Sequence, residues 1–254
     1  MLKNKKIMFA KTILITGSNR GIGLELVKLL AGQCEHLFAA CRSPQDATDL
    51  NSIAEENKNI VVIKIDVTDQ FTIDAAKEVV QNTVGEKGLN CLINNAGVLK
   101  TGENSINDVT AESMKSVYEV NTVGPAMVIK TFLPLIKQAS SQVEGDGMNT
   151  ARASILNMSS KVASMDDNKS GRAYSYRMSK IALNMLTKNL SIELKPDRIL
   201  AVNLHPGWVQ TDMGGPNALI SSETSAKRLL ETAAMFTEKD NALFYSWDGE
   251  LIPW

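Results

Sequence analysis

The sequence predicts an α/β fold: a doubly wound, mostly parallel seven-stranded sheet with helices on both faces. Three observations predict it. Short β-rich apolar runs alternate with longer amphipathic segments along the chain. Most of those runs are continuously apolar rather than alternating, the pattern of strands covered on both faces. The first run leads straight into a glycine-rich turn and then into a helical pattern.

Taken in order, the expected strands are Thr12–Thr16, Leu37–Ala40, Ile60–Ile65, Cys91–Asn94, Ser154–Asn157, Ile199–Asn203 and Leu243–Ser246. Between them, Ile22–Ala31 repeats leucine and valine at helical spacing, and Gln45–Asn57 and Asp69–Gly85 are amphipathic with polar outer faces. Ala111–Ala139 is a long helix capped by Thr110, with a kink expected at Gly124-Pro125. Ala173–Leu194 stops before Pro196, and Ser222–Phe236 closes the set. The polar stretch Ser140–Arg152 and the Gly/Pro-bearing Thr211–Ser222 read as loops, the second as a mobile one. With no internal repeat and no linker, residues 1–254 form one domain.

Composition narrows the function. The chain has 254 residues, 44% of them hydrophobic, enough for one sizeable core. A net charge of -1 with interspersed signs argues against nucleic-acid or anionic-membrane partners. The N-terminal MLKNKKIMFAK lacks an apolar core of signal-peptide length, and no apolar run is long enough to span a bilayer. The three cysteines, Cys34, Cys41 and Cys91, form no CxxC; Cys34 and Cys91 read as small buried hydrophobes, so a reducing, cytoplasmic compartment is expected. The two histidines, His36 and His205, make a His-based metal site improbable.

The turn after the first strand reads Thr16-Gly17-Ser18-Asn19-Arg20-Gly21-Ile22-Gly23. A strand, a glycine turn and a helix N-terminus in succession can hold a pyrophosphate. Gly17 would allow the tight turn, Gly21 the close approach of a phosphate, and Gly23 the packing of helix on sheet. Ser18, Asn19 and the first-turn N–H groups could donate to phosphate oxygens. The spacing differs from the common Gly-x-Gly-x-x-Gly fingerprint, and a merely flexible turn is the plain alternative. About 20 residues past such a turn, an NAD site carries a carboxylate for the ribose. Leu37–Ser43 has none and offers Arg42, a guanidinium suited to the 2′-phosphate of NADP. Arg20 could be a second clamp; each arginine alone could equally be a solvated surface residue. Asp66 would either meet the adenine amino group or cap the next helix, a task Thr68 serves better.

At the other end of the expected crevice stand Asn94-Asn95-Ala96-Gly97, Asn157-Met158-Ser159-Ser160, and a helix with Tyr174, Tyr176 and Lys180. Hydroxyls, a phenol and an ammonium beside a dinucleotide suit hydride transfer, the protein supplying proton and orientation. Tyr176 precedes Lys180 by one helical turn, so the two share a face; Tyr174 lies roughly 240° away from Lys180 around an ideal helix.

The ordered set of Thr16-Gly-x-x-x-Gly-x-Gly23, Asn94-Asn-Ala-Gly97, the fifth-strand serine, Tyr-x-x-x-Lys and Pro206-Gly207 resembles the short-chain dehydrogenase/reductase family over nearly the whole chain. The strings NMSS, AYSYRMSK and LHPGWVQTDMGG are similar, more narrowly, to its sniffer-type carbonyl reductases. The resemblance implies a Rossmann-like fold, the cofactor NADP(H) and a small-molecule carbonyl substrate. It implies Tyr176 as general acid, with Lys180 lowering the phenol's pKa and reaching the nicotinamide ribose. Asn121 would sit at a helix distortion that holds a water in a proton relay. Ser160 would polarise the carbonyl; neighbours on a strand face opposite sides, and the residues themselves leave Ser159 and Ser160 both open.

The resemblance further implies cofactor contacts from Gly17, Ser18, Asn19, Arg20, Gly21, Ile22, Gly23, Arg42, Asp66, Val67, Asn94, Ala96, Gly97, Tyr176, Lys180, Pro206, Gly207, Val209 and Thr211. It implies a variable substrate lid at Met213–Ser222, near 211–222, where Trp208, Met213 and Leu219 would give a mostly apolar pocket. Trp247 and Trp254, near the C-terminus, read as core or interface. His205 reads as a residue that orders its loop. Family dimers form through the two long helices, a contact that the Ser140–Arg152 insert would obstruct or reshape. An NAD-linked alcohol or hydroxysteroid dehydrogenase and a catalytically silent cofactor-binding signalling protein are the alternatives.

Overall fold

The computed structural model describes residues 9–254, and most of the lysine-bearing N-terminal stretch lies outside the described residues. The elements run β1 (Thr12–Thr16), α1 (Gly21–Leu30), β2 (His36–Cys41), α2 (Thr48–Glu56), β3 (Ile60–Lys64), α3 (Gln70–Val84), β4 (Cys91–Asn94) and α4 (Ala111–Tyr118). A π-helical turn, Glu119–Val123, joins α4 to α5 (Gly124–Ser141). Then follow β5 (Ser154–Met158), α6 (Tyr174–Glu193), β6 (Leu200–His205), β7 (Val209–Gln210), β8 (Ile220–Ser221), α7 (Ser222–Ala233) and β9 (Phe244–Ser246).

Seven strands form one sheet in the order β3-β2-β1-β4-β5-β6-β9, and every pairing is parallel. The continuously apolar runs are buried on both faces. On one side Leu26 and Val27 of α1, Leu50 of α2 and Leu229 of α7 pack on Ile13, Ile15 and Ile93. On the other, Val80 of α3, Phe132 of α5 and Leu190 of α6 pack on Leu14, Phe38 and Leu92. The chain reverses direction across the sheet between β1 and β4. The carboxyl ends of the strands at such a switch point are the place where sheets of this kind bind ligands.

Several boundaries differ from the sequence reading. Gln45–Asn57 is not one helix: Pro44–Asp46 makes a 3-10 turn and the α-helix starts at Thr48. Asp69, not Thr68, caps α3, its carboxylate accepting from Phe71 N. The long helix is distorted at Glu119–Val123 rather than kinked at Gly124-Pro125, although the cause is the same proline. Pro125 lacks the N–H that an α-helix would aim at the carbonyl of Asn121, and the preceding turn widens. The insert after α5 is tied down rather than merely polar. Arg152 is buried, its guanidinium donating to the carbonyls of Ser140, Glu144 and Gly145. The lid is likewise built: β7 and β8 pair, Trp208 Nε1 donates to Gly214 O (2.8 Å) and Gln210 Nε2 to Ala218 O (3.1 Å). Cys91 is in the core, whereas Cys34 is only half-buried.

Candidate active site

The glycine turn is packed from both sides. Gly17 has φ +69°, the left-handed region that favours glycine, and a Cβ there would stand 3.0 Å from Ala96 Cα. A Cβ on Gly23 would fall 2.1 Å from Gly17 O, so the first turn of α1 can press on the loop only without a side chain. Asn95, part of the expected Asn-Asn-Ala-Gly motif but given no role of its own there, fastens the turn. Its Nδ2 donates to Thr16 O and Gly17 O, both at 3.0 Å, while Thr16 Oγ1 accepts from Asn95 N and Ala96 N. The signal was present in the doubled asparagine: in extended chain neighbours face opposite ways. Asn94 turns inward to Asn157 Oδ1 (2.8 Å) and Asn95 toward the turn. The inward turn of Asn94 leaves only its backbone for a cofactor.

Ser18 departs from expectation. It is buried, its hydroxyl donates to Ile15 O (2.8 Å) and its N–H to Ala40 O (2.9 Å), so neither is free for a phosphate. Phosphate donors are left to exposed Asn19 and to the first turn of α1, of which Ile22 is part. Arg20 is ion-paired with Asp212 of the lid, so its guanidinium is shared between lid and turn. Thr211 lies against the turn, its Cγ2 3.2 Å from the Cβ position of Gly21. Arg42 is exposed at the end of β2 beside Asp66, whose carboxylate accepts from Thr68 N and Oγ1. Burial raises the Asp66 pKa, but the Thr68 hydrogen bonds and the Arg42 and Lys64 charges outweigh it, holding the carboxyl below its usual value. Buried Val67 packs on Gly124 at the start of α5.

The reacting end gathers four of the expected side chains. Tyr176 and Lys180 share one face of α6, with Lys180 Nζ 5.8 Å from the Tyr176 ring centroid. Lys180 is buried and donates to Met158 O at 2.8 Å. Ser160 lies close enough to the Tyr176 phenol to lower its pKa. Ser159 points elsewhere, donating to Asn184 Oδ1 at 2.6 Å, so strand alternation separates the two serines. Asn121 lies buried in the π-helical turn. Its amide mimics a backbone pair with Val98, Oδ1 accepting from Val98 N and Nδ2 donating to Val98 O, both at 2.8 Å. Asn121 Nδ2 also reaches Ser179 Oγ (3.0 Å), whose hydroxyl bonds the Tyr176 carbonyl. A methyl on Gly97 would stand 3.2 Å from Asn121 Oδ1 and 3.4 Å from Lys180 Nζ, which places the Asn-Asn-Ala-Gly loop against both.

Electrostatics here run against the expectation that Lys180 brings the phenol toward neutrality. Burial pushes the Tyr176 pKa up, and the Ser160 contact only partly offsets it. Burial also pulls Lys180 down to about 8. The ammonium is engaged with a carbonyl on β5 and stands 5.8 Å from the centre of the ring. His205 is held neutral, burial and the Lys161 charge lowering it to about 4, and its buried Nδ1 has no partner.

Beyond this cluster, the carbonyl of Pro206 accepts from Ser225 Oγ (2.6 Å). Gly207 has φ +88° and nests against Ile220 and Trp247. Val209 is buried under the lid, while Trp208, Met213 and Leu219 are exposed on it. Trp254 packs on Phe244. A separate cavity of about 450 Å3, lined by Lys11, Gln142 and Arg152 among others, lies at the opposite end of the strands and takes no part in this cluster. Among the described residues no group of three metal-ligating side chains occurs, and no helix is long and apolar enough to cross a membrane.

The residues present fit a dinucleotide. The turn is a cradle that side chains at Gly17 or Gly23 would fill, and a cation stands at the end of β2 where a 2′-phosphate would need one.

Comparison with known proteins gives consistent results. Residues 11–219 match the family model described as "short chain dehydrogenase". The carbonyl reductase Sniffer of Drosophila melanogaster superposes with a TM-score of 0.94 at 40% identity, covering 96% of this chain and 100% of that one. An NADPH-bound carbonyl reductase from chicken fatty liver superposes with a TM-score of 0.92 at 38% identity, covering 96% and 94%. An uncharacterised oxidoreductase of Schizosaccharomyces pombe is 30% identical over 96% of this chain and 98% of its own length. The C-signal protein of Myxococcus xanthus is 35% identical over 64% of this chain and 91% of its own.

Proposed function

The chain belongs to the short-chain dehydrogenase family, and on that premise we propose that it is an NADPH-dependent reductase acting on the carbonyl of a small aldehyde, ketone or quinone. One observation carries the reading: Tyr176, Ser160, Lys180 and Asn121 converge at the strand ends beside the glycine turn. When bound, the nicotinamide supplies the hydride.

The chain's own residues supply the rest. Tyr176 donates its phenolic proton to the carbonyl oxygen as that oxygen gains charge, and takes it back in the oxidative direction. Its raised pKa keeps the phenol protonated at neutral pH, the form a reductase needs. Ser160 holds the substrate oxygen by a hydrogen bond and thereby positions it against the phenol. Lys180 places a positive charge beside the ring, and its ammonium would reach the nicotinamide ribose. Asn121 fixes the widened turn and would support a water that resupplies the proton. Arg42, with Arg20 released from Asp212, would hold the 2′-phosphate. Asp66 and Val67 would flank the adenine, and Pro206, Gly207, Val209 and Thr211 would border the nicotinamide and phosphates.

Support for NADPH comes from the arginine in place of a carboxylate at the end of β2, and from the NADPH-bound chicken reductase among the similar structures. The exposed Trp208, Met213 and Leu219 favour an apolar carbonyl compound. The free cysteines accord with a cytoplasmic setting. Exposed Tyr118, Met178, Met185 and Ile192 on α4 and α6 favour a homodimer through that face.

The test is consumption of NADPH by folded protein against a panel of aldehydes, ketones and quinones. Turnover of at least one is expected; none would overturn the reading. A signalling role has support in the similarity to C-signal, and cofactor binding without any turnover is the result that would favour it.

A further inference from the structure

Glu103 is a carboxylate that the reaction described above does not use. It sits between β4 and α4 and is 4% exposed, yet among the described residues no lysine or arginine forms an ion pair with it, Lys100 adding only the least of the effects that lower its pKa. Its partners are two helix N-termini. Oε2 accepts from Ser175 N at 2.7 Å; Oε1 accepts from Ser175 Oγ at 2.5 Å and from Ser113 Oγ at 2.7 Å. Its own carbonyl accepts from Ala173 N at 2.8 Å.

These contacts answer a local defect. A helix leaves its first N–H groups unpaired, and a Ser, Thr, Asp or Asn normally caps them. The cap position of α6 is Ala173, whose methyl group can accept no hydrogen bond. Both Arg172 and Ala173 lie in the left-handed region, with φ +61° and +47°, which side chains resist. Such a turn persists only where its surroundings hold it. Glu103 holds it from 72 positions away, with a negative charge at the positive end of the helix. Burial raises the pKa of Glu103, but the hydrogen bonds from Ser175 and Ser113 outweigh it, so the carboxylate stays ionised at neutral pH.

We propose that Glu103 is a positioning residue for the reaction: by clamping Ser175 it fixes the first turn of α6 and hence where the Tyr176 phenol meets Ser160. Ser175 directly precedes Tyr176, so a rotation of that turn carries the phenol with it. The inference rests on the reading of Tyr176 as the acid.

The test compares wild type, Glu103→Gln and Ser175→Ala in the full chain. It reads kcat with the fastest carbonyl of the panel, NADPH affinity, thermal stability, and the titration of Tyr176 by tyrosinate absorbance against a Tyr176→Phe background. Glu103→Gln is expected to lower kcat about tenfold or more while NADPH affinity holds, since small misplacements at the reacting centre are costly. Ser175→Ala keeps the Glu103 charge. It is expected to lower kcat by a smaller factor and to move the Tyr176 titration upward, as a phenol displaced from Ser160 loses the contact that lowers it. Unchanged kcat and titration, with only thermal stability reduced, would overturn the proposal. If wild type turns over no carbonyl, the reductase reading fails by itself; the titration arm still decides the clamp, an upward shift supporting it and no shift overturning it. Should Glu103→Gln not fold, Ser175→Ala decides by the same two readouts.

Discussion

Lys180 Nζ stands 5.8 Å from the centre of the Tyr176 ring while donating to Met158 O at 2.8 Å. The charge is therefore anchored to β5 and presented to the ring one helical turn away. Burial lowers Lys180 to about 8 and raises Tyr176. In this structure the phenol is the group that stays protonated through neutral pH, and the ammonium is the one near its limit.

A pH dependence follows from that order. Carbonyl reduction should decline as pH rises through about 8, where Lys180 loses its charge while Tyr176 keeps its proton. Stability should move the other way. Between about 8 and the ordinary lysine value of 10.5 the unfolded chain binds the extra proton, so folding gains as pH rises. Lys180→Met should remove both trends. Rate–pH profiles and urea unfolding at several pH values measure them; a rate that holds level past pH 9 would count against the role of the ammonium.

Arg42 should decide between cofactors. A charged hydrogen bond contributes about 1.5–3 kcal/mol, so Arg42→Ala should weaken NADPH about tenfold or more. NADH, which lacks the 2′-phosphate, should be little affected. Thermal shifts with each cofactor read this directly, because ligand stabilisation tracks affinity. A larger shift of wild type with NADH would contradict the assignment.

The glycine turn should tolerate no methyl at position 23. Gly23→Ala would drive Cβ to 2.1 Å from Gly17 O, a backbone oxygen held by Asn95 Nδ2, which itself would lie 2.6 Å from that Cβ. Overpacking of this kind costs about 1–3 kcal/mol. Urea unfolding should show a loss of that size, together with loss of NADPH binding. Wild-type stability and binding would mean that the helix does not rest on the turn.

The sheet was legible because its strands are covered on both faces. Cys91–Asn94 reads as a continuous apolar run and is found with those bounds. The lid strands Val209–Gln210 and Ile220–Ser221 were not legible, since two residues carry no periodicity. Chemistry-bearing residues were visible by type but not by direction. Nothing in the string TGSNRGIG shows that Ser18 turns inward to Ile15 O, or that Arg20 meets Asp212. Ser159 and Ser160 could be told apart only when Ser159 was seen on Asn184. Glu103 had no local signal at all: a single acid in a polar loop, with its partners on helices brought close by the fold.

The most direct test concerns the two rings of the catalytic helix. Tyr176 stands by Ser160 and Lys180, whereas Tyr174 lies roughly 240° from Lys180 around the helix. With NADPH and a carbonyl that wild type reduces, kcat of Tyr176→Phe should fall by about 100-fold or more with NADPH affinity nearly unchanged. Tyr174→Phe should stay near wild type. Equal losses from the two substitutions, or a Tyr176→Phe enzyme that keeps its rate, would contradict the account.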